Sequence, residues 1–476
     1  MNNTLNTVAE FMEGRVLTKG NSQQSARIQT QGWDNTMSRL LAVRKAAKED
    51  KKRQFTNLFH HINEDLLKQS FNLLKRRSAP GCDGVTWAQY AEQLCENISS
   101  LHQRLHNGSY KPMPARRVFI PKEDGTQRPL SIICLEDKIV QQATVSVMNH
   151  IYEVDFMGFS YGFRPGRGQH DALDALHVAV MKRKVNWVLD LDISKFFESV
   201  EHEWLIKFVQ HRVLDKRILR LINQWIKVGV IDDHGHRVQA HRGTPAGAVI
   251  SPLLANIYLH YSFDLWMNKV RKVAQGEVVL VRYADDCVLG FQKHIDAVNC
   301  LAALNKRLDK FGLKVHPDKT KLIRFGRYAL QQYSKKTAKE KSATFDFLGF
   351  THYIGRKRSG EVIMKRKTKR KRRIEQIKQI KLELRKRLHE KPCETGRWLN
   401  RVVQGHINYY GVPFNSKSLC QFVHEVRRLW LKSLRRRSQR HQTNWSRFAF
   451  LSDRWIPKPK IVHPYPEQRF YATHPR

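Results

Sequence analysis

The spacing of apolar positions divides the 476-residue chain into a mixed α and β stretch followed by an all-helical one. Residues 1–50 are polar and lead into a helix near Asp34–Asp50. Helical periodicity runs through Leu58–Leu74 until APGCDG, at 79–84, breaks it with Pro and two Gly. Between Tyr110 and Ile133, RRVFIPK, EDGTQ and RPLSII read as strand, turn and strand, with Asp-Gly as the hairpin signal. Lys138–Tyr152 is helical. NWVLDLDI, at 186–193, alternates: Trp187, Leu189, Leu191 and Ile193 share one face, and Val188, Asp190 and Asp192 the other. Helices are expected over Glu203–Lys227 and Ser251–Lys269. VVLVRYADDCVLGF, at 278–291, is two apolar β runs joined at Ala284-Asp285-Asp286, a hairpin with acids at its tip. A helix over Ala297–Phe311, short strands around Val315 and Leu322, and strands over Phe345–Ile354 and Glu361–Met364 complete the mixed part.

The character changes near Lys365. KRKTKRKRR, at 365–373, carries eight basic residues in nine, after which Ile374, Ile377, Ile380, Leu384 and Leu388 recur at helical spacing. Helical, basic and aromatic sequence such as RRLWLKSLRRR, at 427–437, continues to about Leu451. The last stretch, WIPKPKIVHPYPEQRF at 455–470, is Pro-rich and reads as extended.

Charge narrows the partner class. Lys plus Arg number 85 against 43 Asp plus Glu, a net charge of +42. Such an excess repels itself unless a polyanion neutralises it. No apolar run reaches the roughly 20 residues that cross a bilayer, so nucleic acid is the better polyanion and no membrane partner is expected. The opening MNNTLNTVAEFMEG does not have the form of a signal peptide. The seven cysteines form no CxxC and no zinc-ligand spacing with His, which points to reduced thiols in the cytosol and against a zinc-bearing nuclease module.

The carboxylates suggest the chemistry. Phosphoryl transfer to a growing strand uses two divalent ions about 3.5–4 Å apart. Such hard cations take carboxylate oxygens. An antiparallel sheet can set Asp192, at a strand end, beside Asp285 and Asp286 at a hairpin tip, and their mutual repulsion makes sense as a cation site. Asp-Asp also suits an ordinary turn, and Asp190 and Asp192 alone could be a solvated strand face.

YADD within VRYADDCVLGF resembles the catalytic motif of reverse transcriptases, and other blocks stand in the family's order: KRRSAPGCDGVTW (75–87), VFIPKEDGTQRPLSI (118–132), GFSYGFRPGRGQHDAL (158–173), LDLDISKFFESVEH (189–202), GTPAGAVISPLLANIYL (243–259), LKVHPDKTKLIRFG (313–326) and FDFLGF (345–350). GHINYYG, at 405–411, resembles the centre of domain X in the maturases. The family so resembled is the group II intron-encoded reverse transcriptase and maturase, of the subgroup without an endonuclease.

That resemblance implies an α+β right-hand polymerase with fingers and palm followed by an all-α thumb. It divides the chain into an N-terminal extension (1–60), fingers and palm (61–365), thumb or domain X (366–451) and a basic DNA-binding tail (452–476). It implies two Mg²⁺ ions, replaceable by Mn²⁺, on Asp192, Asp285 and Asp286, with Asp190 a neighbour. It places Lys122 and Arg128 on the incoming triphosphate, Phe197 as the ring that rejects a ribose 2′-hydroxyl, and Lys319 near the primer side. From the residues alone, Lys122 and Arg128 could equally be solvated turn charges, and Phe197 core. Position 246, usually Gln and in contact with the nucleotide, is Ala246, and position 248, often Gly, is Ala248. This departure implies weaker dNTP binding or altered fidelity. Arg164 and Gly166 suit close approach to a template backbone.

Lys365, Arg366, Lys369, Arg370, Arg372, Arg435 and Arg436, with Trp398, Tyr409, Tyr410, Trp430 and Trp445, offer a basic surface with stacking candidates, although the Tyr pair could instead be thumb core. The implied partners are intron RNA, an RNA template with a DNA primer, dNTPs and target DNA, in the nucleoid-associated bacterial cytosol. Oligomeric state is not legible. Three functions stay open: a polymerase that is also a maturase, a splicing cofactor with weakened polymerase, and a related enzyme of a defence or diversity-generating system.

Overall fold

The computed structural model describes residues 31–121, 127–232, 235–238, 241–328, 343–357, 359–437 and 444–474. The side chains of residues 31–35, Pro121 and Arg128 also lie outside the described set.

Strands β1 (Ala115–Pro121) and β2 (Gln127–Ile132) form the expected antiparallel hairpin. Strand β3 (Trp187–Leu191) follows, then the short β4 (Val230–Ile231) and β5 (Arg237–Val238), which extend the first sheet in the order β2-β1-β4-β5. Strands β6 (Val278–Tyr283) and β7 (Asp286–Phe291) form the acidic hairpin and, with β8 (Lys321–Arg324), join β3 in a second sheet, ordered β6-β7-β3-β8. Strands β9 (Thr344–Phe347), β10 (Phe350–Arg356) and β11 (Val362–Thr368) make a third. Mixed helices and largely antiparallel sheets, followed by helices alone from Arg370, give the α+β class.

The alternation in NWVLDLDI works as the period-2 rule requires. Leu189, Leu191 and Ile193 enter the large core built with the helices, whereas Val188 enters a second core between this sheet and the third. Both faces of the sheet therefore pack against a core.

Several expected boundaries shift. The Leu58–Leu74 segment is a short 3-10 turn, Phe59–His61, and a helix, Glu64–Leu73, capped where the Asn63 side chain accepts from Leu66 N. Glu203–Lys227 is two helices, His202–Gln210 and Lys216–Lys227, the second capped by Asp215. The Ser251–Lys269 helix forms with a π turn at His260–Asp264. Strand pairing of β11 on β10 runs to Thr368, past the boundary expected near Lys365. In-register backbone pairing there outweighs the run of charge.

Residues 1–30 of the extension lie outside the described set. The helix Gln31–Glu49 packs on the helix Leu135–Asp155, with Leu40, Val43 and Ala47 in the main core. The thumb has its own core around Leu399, Phe422 and Trp430. Tyr410, Val412 and Leu419, however, belong to the second palm core, so the thumb's base is shared with the palm. The tail differs most from expectation. Pro466–Thr473 is a helix packed on the helix Gln169–Lys182, held by Arg469 on Asp174 and by Lys182 on Glu467.

Several histidines are buried and held neutral. Burial, then the nearby Arg366 charge, pushes His352 from its ordinary 6.5 down to about 3. A folded value below the unfolded one means that unfolded chains take up the proton first. The stabilisation is thus complete above about 6.5 and is lost as pH falls toward 3. His352 stacks on Phe345, ring centroids 5.0 Å apart, so a phenyl ring should fit its place. His352→Phe should flatten the acid slope of stability by ~1.4 kcal/mol per pH unit. Thermal midpoints between pH 7 and pH 4 check this; an unchanged slope would contradict it.

Candidate active site

The acidic tip is built by local rules. Tyr283 pairs with Asp286 across a two-residue turn, and Ala284 takes a left-handed φ of 56°. Such turns favour positive φ at their first central residue, usually on Gly. Here the strain is carried by Ala284, whose carbonyl oxygen accepts from Arg282 Nη1 at 3.1 Å. Arg282 is fully buried, and its guanidinium also donates to Asp264 (2.8 and 2.5 Å), Asn256 Oδ1 (3.0 Å) and Ser160 Oγ (2.7 Å). Asn256 Nδ2 reaches Gly162 O at 2.8 Å, closing the ring of contacts behind the tip. A Cβ on Gly162 would stand 2.3 Å from Ala284 N, so only glycine lets that backbone approach.

The register Leu191↔Cys287 continues to set Asp192 opposite Asp286. A loop after Val315 wraps Asp192: His316 N donates to its carbonyl at 2.8 Å, Asp192 N donates to Thr320 Oγ1 at 3.4 Å, and Lys319 Nζ stands 2.8 Å from Oδ2. The sheet thus brings Asp192, Asp285 and Asp286 to one edge, with Asp190 one turn of the pleat behind. Crowding by the protein, then the charges of Asp285, Asp192 and Asp190, pushes the Asp286 carboxyl up to about 7, although its surface stays open to water. Asp190 is likewise raised to about 7, by burial, then by Asp346 and Asp192, with Lys321 and Lys369 opposing. Asp346, in FDFLGF, is an acidic neighbour that the sequence reading did not single out; it is paired with Lys369 at 3.5 Å and accepts from Thr351 Oγ1.

Among the described residues, no three His, Cys, Asp or Glu side chains form a closed metal cage. The donor set is nonetheless all oxygen and like-charged, one carboxylate already holds the Lys319 ammonium, and another is raised by its neighbours. That chemistry fits a hard divalent cation whose remaining ligands come from substrate.

The proposed nucleotide contacts divide. Thr244 N donates to Phe197 O at 2.8 Å, which ties Phe197 to the loop carrying Ala246. Ala246 O accepts from Ser131 N of β2 at 2.7 Å, so this loop joins the β1–β2 hairpin to the palm. Phe197 is half-buried, packed edge-on to Phe196. Ala248 is buried in a small cluster with Ala115, Ile133 and Val230. Lys122 and the Arg128 side chain lie outside the described residues.

Two expected nucleic-acid contacts are corrected. Arg164 is buried, paired with Glu153 at 3.0 Å and donating to the carbonyls of Met157 and Ser160. Arg366 is buried on Asp174 at 3.0 Å. A desolvated guanidinium with a carboxylate partner holds the fold and leaves no face for a phosphate. Lys365 Nζ donates to Arg356 O, and Lys369 is the partner of Asp346. Gly166, Arg370, Arg372, Arg435 and Arg436 are exposed. The Tyr pair is core: Tyr410 is buried, and the Tyr409 hydroxyl donates to Leu348 O at 2.8 Å.

A sheet edge of carboxylates on a hairpin tip and the adjoining strand end, braced by helices behind, defines the palm of a right-hand nucleic-acid polymerase. The family model for reverse transcriptase (RNA-dependent DNA polymerase) matches residues 120–352. Protein YkfC of Escherichia coli is 36% identical over 282 residues, covering 52% of this chain and 73% of that protein. The group II intron-encoded protein LtrA of Lactococcus lactis is 32% identical over 233 residues, covering 47% of this chain and 37% of that protein. An uncharacterized 91 kDa protein in the cob intron of Schizosaccharomyces pombe is 24% identical over 429 residues, 77% of this chain and 52% of that protein. The chain thus spans about half or less of the length of the last two relatives. It belongs to the reverse transcriptase family, in its group II intron-encoded branch. Its enzyme class is RNA-directed DNA polymerase, a family that works with divalent metals and nucleic acid. No helix among the described residues is long and apolar enough to cross a membrane.

Gly162→Ala should displace the hairpin tip. The overpacking should cost about 1–3 kcal/mol and lower primer extension more than RNA binding. Thermal unfolding and extension assays check this; wild-type behaviour in both would contradict the close approach.

Proposed function

We propose that Asp192, Asp285 and Asp286 are the catalytic carboxylates for dNTP addition to a primer 3′-hydroxyl on an RNA template, and that the protein also binds intron RNA as a maturase. The observation that carries the catalytic reading is the convergence of these three acids at one sheet edge, with the Asp286 carboxyl raised by the protein around it and then by its acidic neighbours. Two Mg²⁺ held there supply activation of the 3′-hydroxyl and charge neutralisation on the triphosphate.

The chain's own groups do the positioning. The Arg282 cluster fixes the tip against movement, so that the carboxylates meet substrate without reorganising. Lys319, 2.8 Å from Asp192 Oδ2, balances the charge of that carboxylate, which would hold a cation, and would supply its ammonium to a substrate phosphate. Phe197, tied to the Ala246 loop, stands as the ring against the sugar 2′ position, while Lys122 and Arg128 grip the triphosphate from the β1–β2 hairpin. The short Ala246 side chain gives the nucleotide less to hold. Exposed Arg370, Arg372, Arg435 and Arg436 give the RNA surface its salt-sensitive grip, and the exposed Gly166 lets a template backbone come close. Reverse splicing of the bound intron into target DNA, with copying by this site, is the mobility reaction that follows.

Primer extension on an RNA template with dNTPs and Mg²⁺ tests this. Wild type should extend, stop when the metal is chelated, and resume when Mg²⁺ is restored. Asp285→Ala with Asp286→Ala should not extend yet should bind RNA as before. Extension by that double variant would contradict the assignment. If neither protein extends while both bind intron RNA tightly, the splicing-cofactor reading replaces it, and Ala246→Gln becomes the reversion to make.

A further inference from the structure

The thumb aromatics differ sharply in what they can offer a ligand. Trp430 is fully buried, Tyr410 is buried, and the face of Trp398 is covered by the Arg387 guanidinium 5.0 Å from the ring centroid. Trp445, in contrast, is 42% exposed. It opens the helix Trp445–Trp455 and faces the helix Ser416–Arg435. Between them runs a groove of about 480 Å³ lined by His424, Arg428, Leu431, Lys432, Arg435 and Trp445.

The groove's chemistry is mixed in an informative way. His424, Arg428, Lys432 and Arg435 follow one another at intervals of four, four and three residues, so they form one stripe along the helix, and all four are exposed. Leu431, buried, makes the floor. Glu425, at 2.9 Å from Arg428, flanks the stripe and steadies that guanidinium. A phosphate alone would need the cations but not the indole. An apolar peptide would need the indole but would make no use of the exposed cationic stripe. A nucleotide satisfies both, with its base on the Trp445 face and its phosphates along the stripe. The base must be unpaired, because a paired base offers its face only to its stacked neighbours.

We propose that this groove is a binding subsite for an unpaired nucleotide of a single strand, with Trp445 stacking the base and Arg428, Lys432 and Arg435 holding the flanking phosphates. The proposal rests on the nucleic-acid-binding function proposed above and adds a site separate from the carboxylates. RNA and DNA single strands share the chemistry, and the test separates them.

The test uses the full chain, with its polymerase site first saturated by an RNA template annealed to a DNA primer. Binding of a fluorescein-labelled oligouridine, and of the matching oligothymidine, is then followed by anisotropy. Trp445→Ala should weaken binding of the single strand roughly tenfold or more and leave a labelled RNA duplex unaffected. Trp445→Phe should restore most of the affinity. Arg428→Gln with Lys432→Gln should lower the slope of log affinity against log salt by about one to two. Loss with oligouridine alone assigns an RNA strand to the groove, and equal loss with both probes assigns any single strand. Unchanged single-strand affinity in Trp445→Ala, or an equal loss for duplex RNA, would overturn the proposal. Primer extension in the same samples keeps this outcome apart from a failure of the polymerase reading.

Discussion

A guanidinium with no water around it must be neutralised and hydrogen-bonded on every side. Arg282 meets that requirement with groups from three chain segments: Asp264 and Asn256 from one helical stretch, Ser160 from the glycine-containing segment before the helix Gln169–Lys182, and Ala284 O from its own hairpin. Burial holds the Asp264 carboxyl above its ordinary range, with Arg282 opposing that rise. The π turn at His260–Asp264 ends on this carboxylate. The consequence is directional: the left-handed Ala284 is held from behind, so Asp285 and Asp286 are presented at the sheet edge beside Asp192. The three candidate carboxylates thus depend on a buried ion pair set behind the hairpin tip.

Basic residues carry two jobs in this chain. Arg164, Arg212, Arg282 and Arg366 are internal, each opposite a carboxylate, and hold helices and strands to one another. Asp174 illustrates how far such a pair reaches. It receives Arg366 from β11 and Arg469 from the C-terminal helix, so one carboxylate joins the palm, the root of the thumb and the tail. Exposed cations such as Arg370, Arg372, Arg435 and Arg436 face solvent and fit the polyanion-binding character expected of the +42 charge.

The local part of this fold was readable from sequence. The acidic hairpin and the β1–β2 hairpin follow from alternation and turn residues that act over a few positions. The placing of the acids at 192, 285 and 286, at a strand end and a hairpin tip, was legible because strand alternation and the apolar runs on either side fix where they stand. Arg366 was misread because its exposure depends on a distant partner, Asp174, 192 residues away, and Arg164 because its local partners, Glu153 and the Met157 and Ser160 carbonyls, are brought around it only when the segment folds. The same holds for the tail, where Arg469 meets Asp174 across 295 residues and a Pro-rich stretch ends in a docked helix. Arg282 itself left a trace that went unused, a charge at an inward position of the apolar run VVLVRY. The Asp346 contribution was hidden because Phe-Asp-Phe reads as ordinary alternation until the third sheet is packed against the second.

The most direct measurement is a double-mutant cycle on the buried pair, with Arg282→Met, Asp264→Leu and the two combined. Thermal unfolding and primer extension are read in each protein. Each single change strands a buried charge, so both should lower the melting midpoint and primer extension, and the combined change should regain much of the midpoint because no charge is left unpaired. Single variants that melt and extend primers like wild type would show that the hairpin tip is held by something other than Arg282 and Asp264.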